Sequence, residues 1–188
     1  MKILAIILIG FLTSFSVKAQ SAYTLDTESS TILIKGTSSL HDWEANAEAF
    51  EAKLTSQLNE ENPIASINDL IFKVDVKSIN SGKGVMDKKI YSALDEDKHP
   101  QILFNLAEIT TMSEDSISAK GILNIAGKDR EIVLKASYSI AIDQSLIISG
   151  TKKLLMTDFG VKPPKAMLGT LKTGDEVEIV FNVILSKN

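Results

Sequence analysis

The chain has 188 residues, 24 acidic against 20 basic side chains, a formal charge of −4 and no cysteine. The absence of cysteine excludes disulfides, thiolate chemistry and the lipidated cysteine that anchors many exported bacterial proteins. An acidic chain without a basic block is also a poor match to nucleic acid or to an anionic membrane surface.

The first nineteen residues differ from the rest of the chain. Lys2 gives a positive start, an unbroken apolar run follows at 3–12, and small residues at 17–19 provide a cleavage site. This pattern predicts a cleaved signal peptide at 1–19 and an exported domain at 20–188. The apolar run is shorter than the roughly 20 residues that a membrane-spanning helix needs, so we expect no stable membrane anchor after cleavage.

Alternation of apolar and polar side chains dominates the exported part. At 70–77 every second residue is apolar and the residues between are mainly charged, which predicts a strand with one face in water. In 43–54 the apolar set slips by one residue after Ala49, which indicates a β-bulge. Further strands, some less regular, are predicted at 31–37, 101–108, 116–125, 131–140, 145–156 and 176–186.

One segment breaks the period of two. At 83–94 three apolar residues recur at a spacing of four, while Lys88 and Lys89 are expected to point away from them. This predicts one short amphipathic helix. Eight mainly antiparallel strands with one helical insertion predict an all-β, eight-stranded closed barrel. A two-sheet sandwich fits less well, because its inner faces would carry large side chains throughout.

Small residues interrupt four of the apolar faces near their middle. If they face inward, they leave room for one small ligand, which an eight-stranded barrel can enclose. The alternative is that Gly121 and Gly150 mark bends where barrel strands coil. The small residues are Ala45, Ala47, Ala119, Gly121, Ala136 and Gly150.

The segment Ser38 to Trp43, SSLHDW, holds one of the two histidines beside a carboxylate and the sole tryptophan. In an extended segment His41 and Asp42 point to opposite faces and cannot pair, whereas His41 and Trp43 share a face. No G-x-S-x-G motif is present, so a hydrolase is not indicated. His41 and His99 also lack the closely spaced ligand pairs of a zinc site. We therefore expect no catalytic residue, no metal and no cofactor.

Four segments follow one another along the chain: STILIKGTSSLHDW, MDKKIYSALDEDKHPQILF, AKGILNIAGKDREIVL and LLMTDFGVKPPKAMLGTLKTGDEVEIVFNV. This set resembles the YceI-like family of exported lipid-binding proteins and covers nearly all of the exported domain. The resemblance implies a lipocalin-like periplasmic barrel around a tunnel for an isoprenoid or other amphiphilic chain, in a family not known for enzymes. His99 stands where an aromatic residue is usual, and the loop after 158–160 is in place to cover the tunnel mouth.

We therefore expect a non-enzymatic carrier with an isoprenoid, quinone-like or fatty-acyl ligand inside the barrel. The alternatives are a structural or stress-related interaction protein with a filled barrel, and a lipid-modifying enzyme that uses His41 as base. His41, Asp42 and Trp43 are expected on a strand at the barrel mouth. The oligomeric state stays open. The expected ligand-binding residues are His41, Trp43, Phe72, Val74, Phe104, Leu123, Phe159, Ile179 and Phe181.

Overall fold

A computed structural model describes residues 20–57, 66–166 and 171–187, and the predicted signal peptide at 1–19 lies outside them. One helix, α1, spans Gly84–Ala93 in this part, and short 3-10 turns span Val76–Ser78 and Met156–Phe159. No helix in these ranges is long and apolar enough to cross a bilayer. The strands are β1 (Gln20–Leu25), β2 (Thr31–Ser38), β3 (Trp43–Ala47), β4 (Phe50–Gln57), β5 (Ser66–Asp75), β6 (Ile79–Asn80), β7 (Gln101–Met112), β8 (Ser116–Ile125), β9 (Lys128–Ile140), β10 (Leu146–Leu155), β11 (Lys165–Ala166) and β12 (Leu171–Lys187).

The strands close into an antiparallel barrel with eight strand positions. Hydrogen bonding runs from β1 through β4, β5, β7, β8, β9, β10 and β12 and returns to β1. Three positions are broken into two segments, so that β2 extends β1, β3 extends β4 and β6 extends β5. The predicted eight-stranded barrel with one short helix is confirmed.

The break between β3 and β4 is the predicted bulge. Alternate residues are buried from Ala45 to Ala47 and again from Phe50 to Leu54, so the inward parity changes at 48–49. Without this one-residue shift, the second half of the strand would turn its apolar face to water.

The break between β1 and β2 is sealed by two hydrogen bonds to Ile184 of β12. The Asp26 N–H donates to the Ile184 carbonyl at 2.9 Å, and the Ile184 N–H donates to the Ser30 hydroxyl at 2.8 Å. The turn itself is held by the Asp26 carboxylate, which accepts the N–H groups of Glu28 and Ser29. The buried Ser30 hydroxyl thus replaces a missing backbone partner.

One end of the barrel, where β7 turns into β8 and β9 into β10, is filled by its own side chains. Apolar residues from β1, β4, β10 and β12 meet there, each less than a tenth exposed, and all but one alanine are large. Burying a side chain of this size contributes about 1.5–3 kcal/mol, so the cluster anchors this end. It consists of Tyr23, Ala52, Leu54, Leu146, Val183 and Leu185.

The opposite end carries α1 and the 3-10 turn Met156–Phe159, and both are pinned to the barrel. The Tyr91 hydroxyl lies 2.9 Å from the Lys77 carbonyl and 3.0 Å from the Ile79 carbonyl, and it donates to them. The Thr157 N–H and hydroxyl donate to the two Asp175 carboxylate oxygens at 3.0 and 2.6 Å. These contacts fix the position of the segments that surround the barrel opening.

Candidate functional site

The barrel encloses an inner cavity of about 220 Å³. Every described side chain that lines it is apolar except that of Lys152. A cavity lined by hydrocarbon offers water too few hydrogen-bond partners to hold it in place. The inner cavity is therefore suited to an apolar chain.

A second cavity of about 410 Å³, termed the entrance, lies at the end that carries α1. Its wall combines α1, the loop between β2 and β3, the 3-10 turn Met156–Phe159 and the first part of β12. The entrance and the inner cavity share five lining residues and are therefore adjacent, and the two together are termed the tunnel. The shared residues are Ile34, Ile102, Ile125, Leu154 and Ile179.

All nine side chains expected to bind a ligand lie along this tunnel. The entrance contains His41, Trp43 and Phe159. Their contact with a ligand stays a prediction. The inner cavity contains Phe72, Val74, Phe104, Leu123, Ile179 and Phe181.

Two of the small residues expected to leave space do not do so. A methyl group added at Gly121 would lie 2.3 Å from the Phe104 ring, and one at Gly150 would lie 2.7 Å from the Phe181 ring. The two rings therefore fill the room that these glycines provide, as aromatic side chains often do over glycine in sheets. Other small residues bound the open space. They are Ala47, Ala119 and Ala136.

Trp43 lines both the entrance and a polar groove on the outside of the barrel. Its ring lies against Gly36, where an added methyl group would come within 2.3 Å. Its indole N–H donates to the Thr37 carbonyl at 3.1 Å. Trp43 is thus held as part of the tunnel wall, at the start of β3.

His41 and Asp42 lie in the loop between β2 and β3, so their predicted place in a strand is wrong. The Ser38 hydroxyl donates to the His41 carbonyl at 2.7 Å and accepts the N–H groups of Leu40 and His41, which closes a turn. The His41 Nδ1 donates to the Asp42 carbonyl at 2.7 Å. This backbone carbonyl fixes the orientation of the ring, and no described carboxylate is hydrogen-bonded to it.

Four lysines, termed the entrance lysines, line the entrance: Lys83 before α1, Lys89 in α1, Lys165 in β11 and Lys172 in β12. The sequence predicted that Lys89 points away together with Lys88, but Lys89 reaches the rim of the tunnel. The described residues that line the entrance include no carboxylate. None of these lysines was identified from the sequence, because their positions converge only through the fold.

The barrel wall is open between β9 and β10 near the entrance. Their pairing ends at Ala136 and Gly150, although both strands continue past these residues. Lys152 borders both the inner cavity and this gap, and its ammonium donates to the Val133 carbonyl at 3.1 Å. The gap forms a side cavity of about 410 Å³ next to the 3-10 turn Met156–Phe159.

The second histidine has a packing role. The His99 ring lies on Gly127 in the turn between β8 and β9, where an added methyl group would come within 2.4 Å of the ring. Gly127 has a φ of +73°, and His99 does not line the tunnel. Within the described ranges, no group of three His, Cys, Asp or Glu side chains is placed to hold a metal ion.

The sequence of residues 23–185 matches the family model of the YceI-like domain. The chain belongs to the YceI-like family. Curated relatives of this YceI-like protein include a UPF0312 protein of Vibrio cholerae serotype O1, which is 28 % identical over 102 residues. That match covers 50 % of this chain and 54 % of the relative, so the chain spans about half the length of the curated relatives it matches.

Solved structures share the YceI-like fold. BcnA of Burkholderia cenocepacia superposes with a TM-score of 0.72 at 17 % identity, over 85 % of this chain and 98 % of BcnA. A polyisoprenoid binding domain from Saccharophagus degradans, implicated in plant cell wall breakdown, gives a TM-score of 0.71 at 12 % identity, over 88 % and 98 %. At these identities the two structures establish the fold of the YceI-like chain and nothing more.

Proposed function

We propose that this YceI-like protein is a periplasmic carrier that holds one hydrophobic chain, isoprenoid, quinone-like or fatty-acyl, in its tunnel. The inner cavity carries the proposal, because its described lining is apolar at every position except Lys152. The polyisoprenoid binding domain of S. degradans, which shares the fold, supports the class of ligand. The pattern at 1–19 supports export, with cleavage after Ala19.

Burial alone is sufficient to hold such a ligand. Transfer of about ten methylene groups from water into the tunnel contributes on the order of 8 kcal/mol before ordering costs are subtracted. Retention of the ligand therefore needs no catalytic group.

Native mass spectrometry of the protein purified without detergent tests the proposal. We expect a polypeptide that begins at Gln20 and carries a stoichiometric hydrophobic adduct, which organic extraction then identifies. An empty protein that also fails to take up added isoprenoids or fatty acids would contradict the proposal. That result would favour an interaction protein with a filled barrel.

Variants that fill the inner cavity locate the ligand. Ala119→Leu and Ala136→Leu place extra carbon atoms inside the cavity, whereas Ala107→Leu adds the same atoms at an exposed position of β7. We expect the first two variants to lose the adduct and Ala107→Leu to retain it. Far-UV circular dichroism checks that each variant is folded. Full retention by both folded inner variants would show that the ligand does not occupy this cavity.

A further inference from the structure

The charge of the entrance differs from that of the whole protein. The chain has more acidic than basic side chains, yet the described lining of the entrance contains the four entrance lysines and no carboxylate. The inner cavity below is apolar apart from Lys152. The tunnel therefore combines an apolar interior with a cationic rim. This arrangement is complementary to an amphiphile with an apolar chain and an anionic head.

Two of the entrance lysines occupy opposed positions on neighbouring strands. β11 and β12 pair so that Lys165 is opposite Lys172. Like charges at directly opposed positions of an antiparallel pair destabilise it. An anion between the two ammonium groups would remove this repulsion, so the register of β11 and β12 points to an anionic group independently of the cavity.

The protein does not supply that anion itself. None of the entrance lysines forms an ion pair with a described carboxylate, whereas Lys153, just outside the entrance, is paired with Glu176 at 2.9 Å. Two nearby acids are held by other groups. Asp87 accepts hydrogen bonds from the N–H and hydroxyl of Ser81 at 2.8 and 2.6 Å, and Asp175 accepts those of Thr157.

We infer that the bound chain belongs to an amphiphile with an anionic head, a carboxylate or a phosphate, and that the entrance lysines hold this head. The inference rests on the proposed function. A lysine side chain fits this position, because its methylene groups cover apolar surface while its ammonium stays in water as a point charge. A neutral head such as an alcohol gains no charge-assisted hydrogen bond from the same rim.

Matched ligands isolate the contribution of the head group. The affinities of palmitate and hexadecanol, and of farnesyl phosphate and farnesol, are measured by displacement of Nile red, an uncharged dye, from the ligand-free protein. We expect each anion to bind about tenfold more tightly than its neutral partner in low salt, as several partly exposed charge pairs would provide. The ratio should fall as salt screens the lysines.

A pair of fourfold variants assigns the effect to the entrance. K83Q/K89Q/K165Q/K172Q neutralises the entrance lysines. It should bring the ratio of anionic to neutral ligand affinity close to one, while hexadecanol still binds. The control removes the same charge from lysines that do not line the entrance, and it should keep the wild-type ratio. It is K53Q/K73Q/K88Q/K135Q.

Equal affinity of the wild type for each anion and its neutral partner would overturn the inference and leave the carrier proposal standing. Equal loss of the ratio in both fourfold variants would also overturn it, since the effect would then come from overall charge. If no ligand displaces the dye, the carrier proposal itself fails. Equal affinities together with lysine-dependent binding to phosphatidylglycerol vesicles would assign the lysines to a membrane surface instead.

Discussion

The Phe104 ring lines the inner cavity and occupies the room that Gly121 leaves on the neighbouring strand. A Gly121→Ala methyl group would meet the ring at 2.3 Å and the Asn105 carbonyl oxygen at 2.6 Å. Since the backbone oxygen cannot move aside cheaply, we expect a loss of about 1–3 kcal/mol in the free energy of unfolding.

Urea unfolding measures this loss against a matched control. Gly84→Ala adds the same methyl group at the start of α1, where no atom lies within 4 Å. The control should equal the wild type or gain up to about 1 kcal/mol from helix propensity. Equal stability of Gly121→Ala and the wild type would mean that the Phe104 ring does not occupy this position.

Ser30 is a second residue whose effect can be isolated. Its hydroxyl is the described acceptor for the Ile184 N–H at the break between β1 and β2. Ser30→Ala leaves this N–H without its partner, and we expect the unfolding free energy to fall by about 1–3 kcal/mol. Ser139→Ala, at an exposed position of β9, is the control and should change the midpoint of urea unfolding little. Comparable midpoints for the two variants would exclude a sealing role for Ser30.

At the scale of elements, the gap between β9 and β10 gives a specific hydrogen-exchange pattern. Residues 131–135 of β9 pair with β8, and residues 151–155 of β10 pair with β12, but the two runs do not pair with each other. Because N–H groups along a strand point alternately to its two neighbours, alternate amides in both runs should exchange fast. Uniform protection, measured by NMR, would show that the gap is closed in solution.

The sequence predicted the strands with regular alternation and three less regular ones at 31–37, 43–54 and 145–156, but it missed segments without a periodic signal. β1 was not predicted, because only a few of the residues Gln20–Leu25 are apolar and its partners, β4 and β12, are distant in the chain. The turn at His41 depends on the Ser38 hydroxyl, which competes with an extended backbone but leaves no periodic signal.

The sequence predicted those residues of the candidate site whose inward direction follows from the alternation of side chains along a strand. Residues such as Val74 and Ala119 alternate with polar neighbours and line the inner cavity. Lys152 has the same inward parity as Leu154, yet a lysine is ordinarily assigned to the wet face. Its ammonium extends into the gap between β9 and β10, where it reaches the Val133 carbonyl. Such a gap depends on tertiary structure, so the sequence does not predict it.

For the molecule as a whole, hydrogen bonds to carboxylates contribute to stability against acid. The Ser29 side chain lowers the pKa of Asp26 below 3.8, and the backbone N–H of Ser145 does the same for Asp143. A group whose pKa is lower in the folded state contributes stability above its unfolded pKa and loses it as the pH falls. We therefore expect the urea midpoint to drop below about pH 4.

A double variant identifies the groups responsible for the acid limit. D26N/D143N should lower the midpoint at pH 7 and make its fall with acid shallower than in the wild type. Glu114→Gln, at an exposed position that makes no described hydrogen bond, provides the control. An unchanged slope in D26N/D143N would assign the acid response to other carboxylates.

Ion pairs on the barrel surface give the corresponding basic limit. Hydrogen bonds from Lys120 to Glu131 and from Lys153 to Glu176 raise the pKa of both lysines above 10.5. Their contribution is present below the unfolded pKa and is lost as the pH rises through the folded pKa. The urea midpoint should therefore change little with pH near neutrality and fall above about pH 10.5. Added salt should make this fall at high pH smaller.

Closure of the barrel by β12 has a consequence for how the protein is made. This strand pairs with β10 on one side and with both β1 and β2 on the other. Until it has been synthesised, β10 and β1 present unpaired edges, which readily bind strands of other chains. A contact between such distant parts of the chain is also slow to form. The cavity that we propose to receive the ligand is therefore enclosed only after β12 has been synthesised and has paired on both sides.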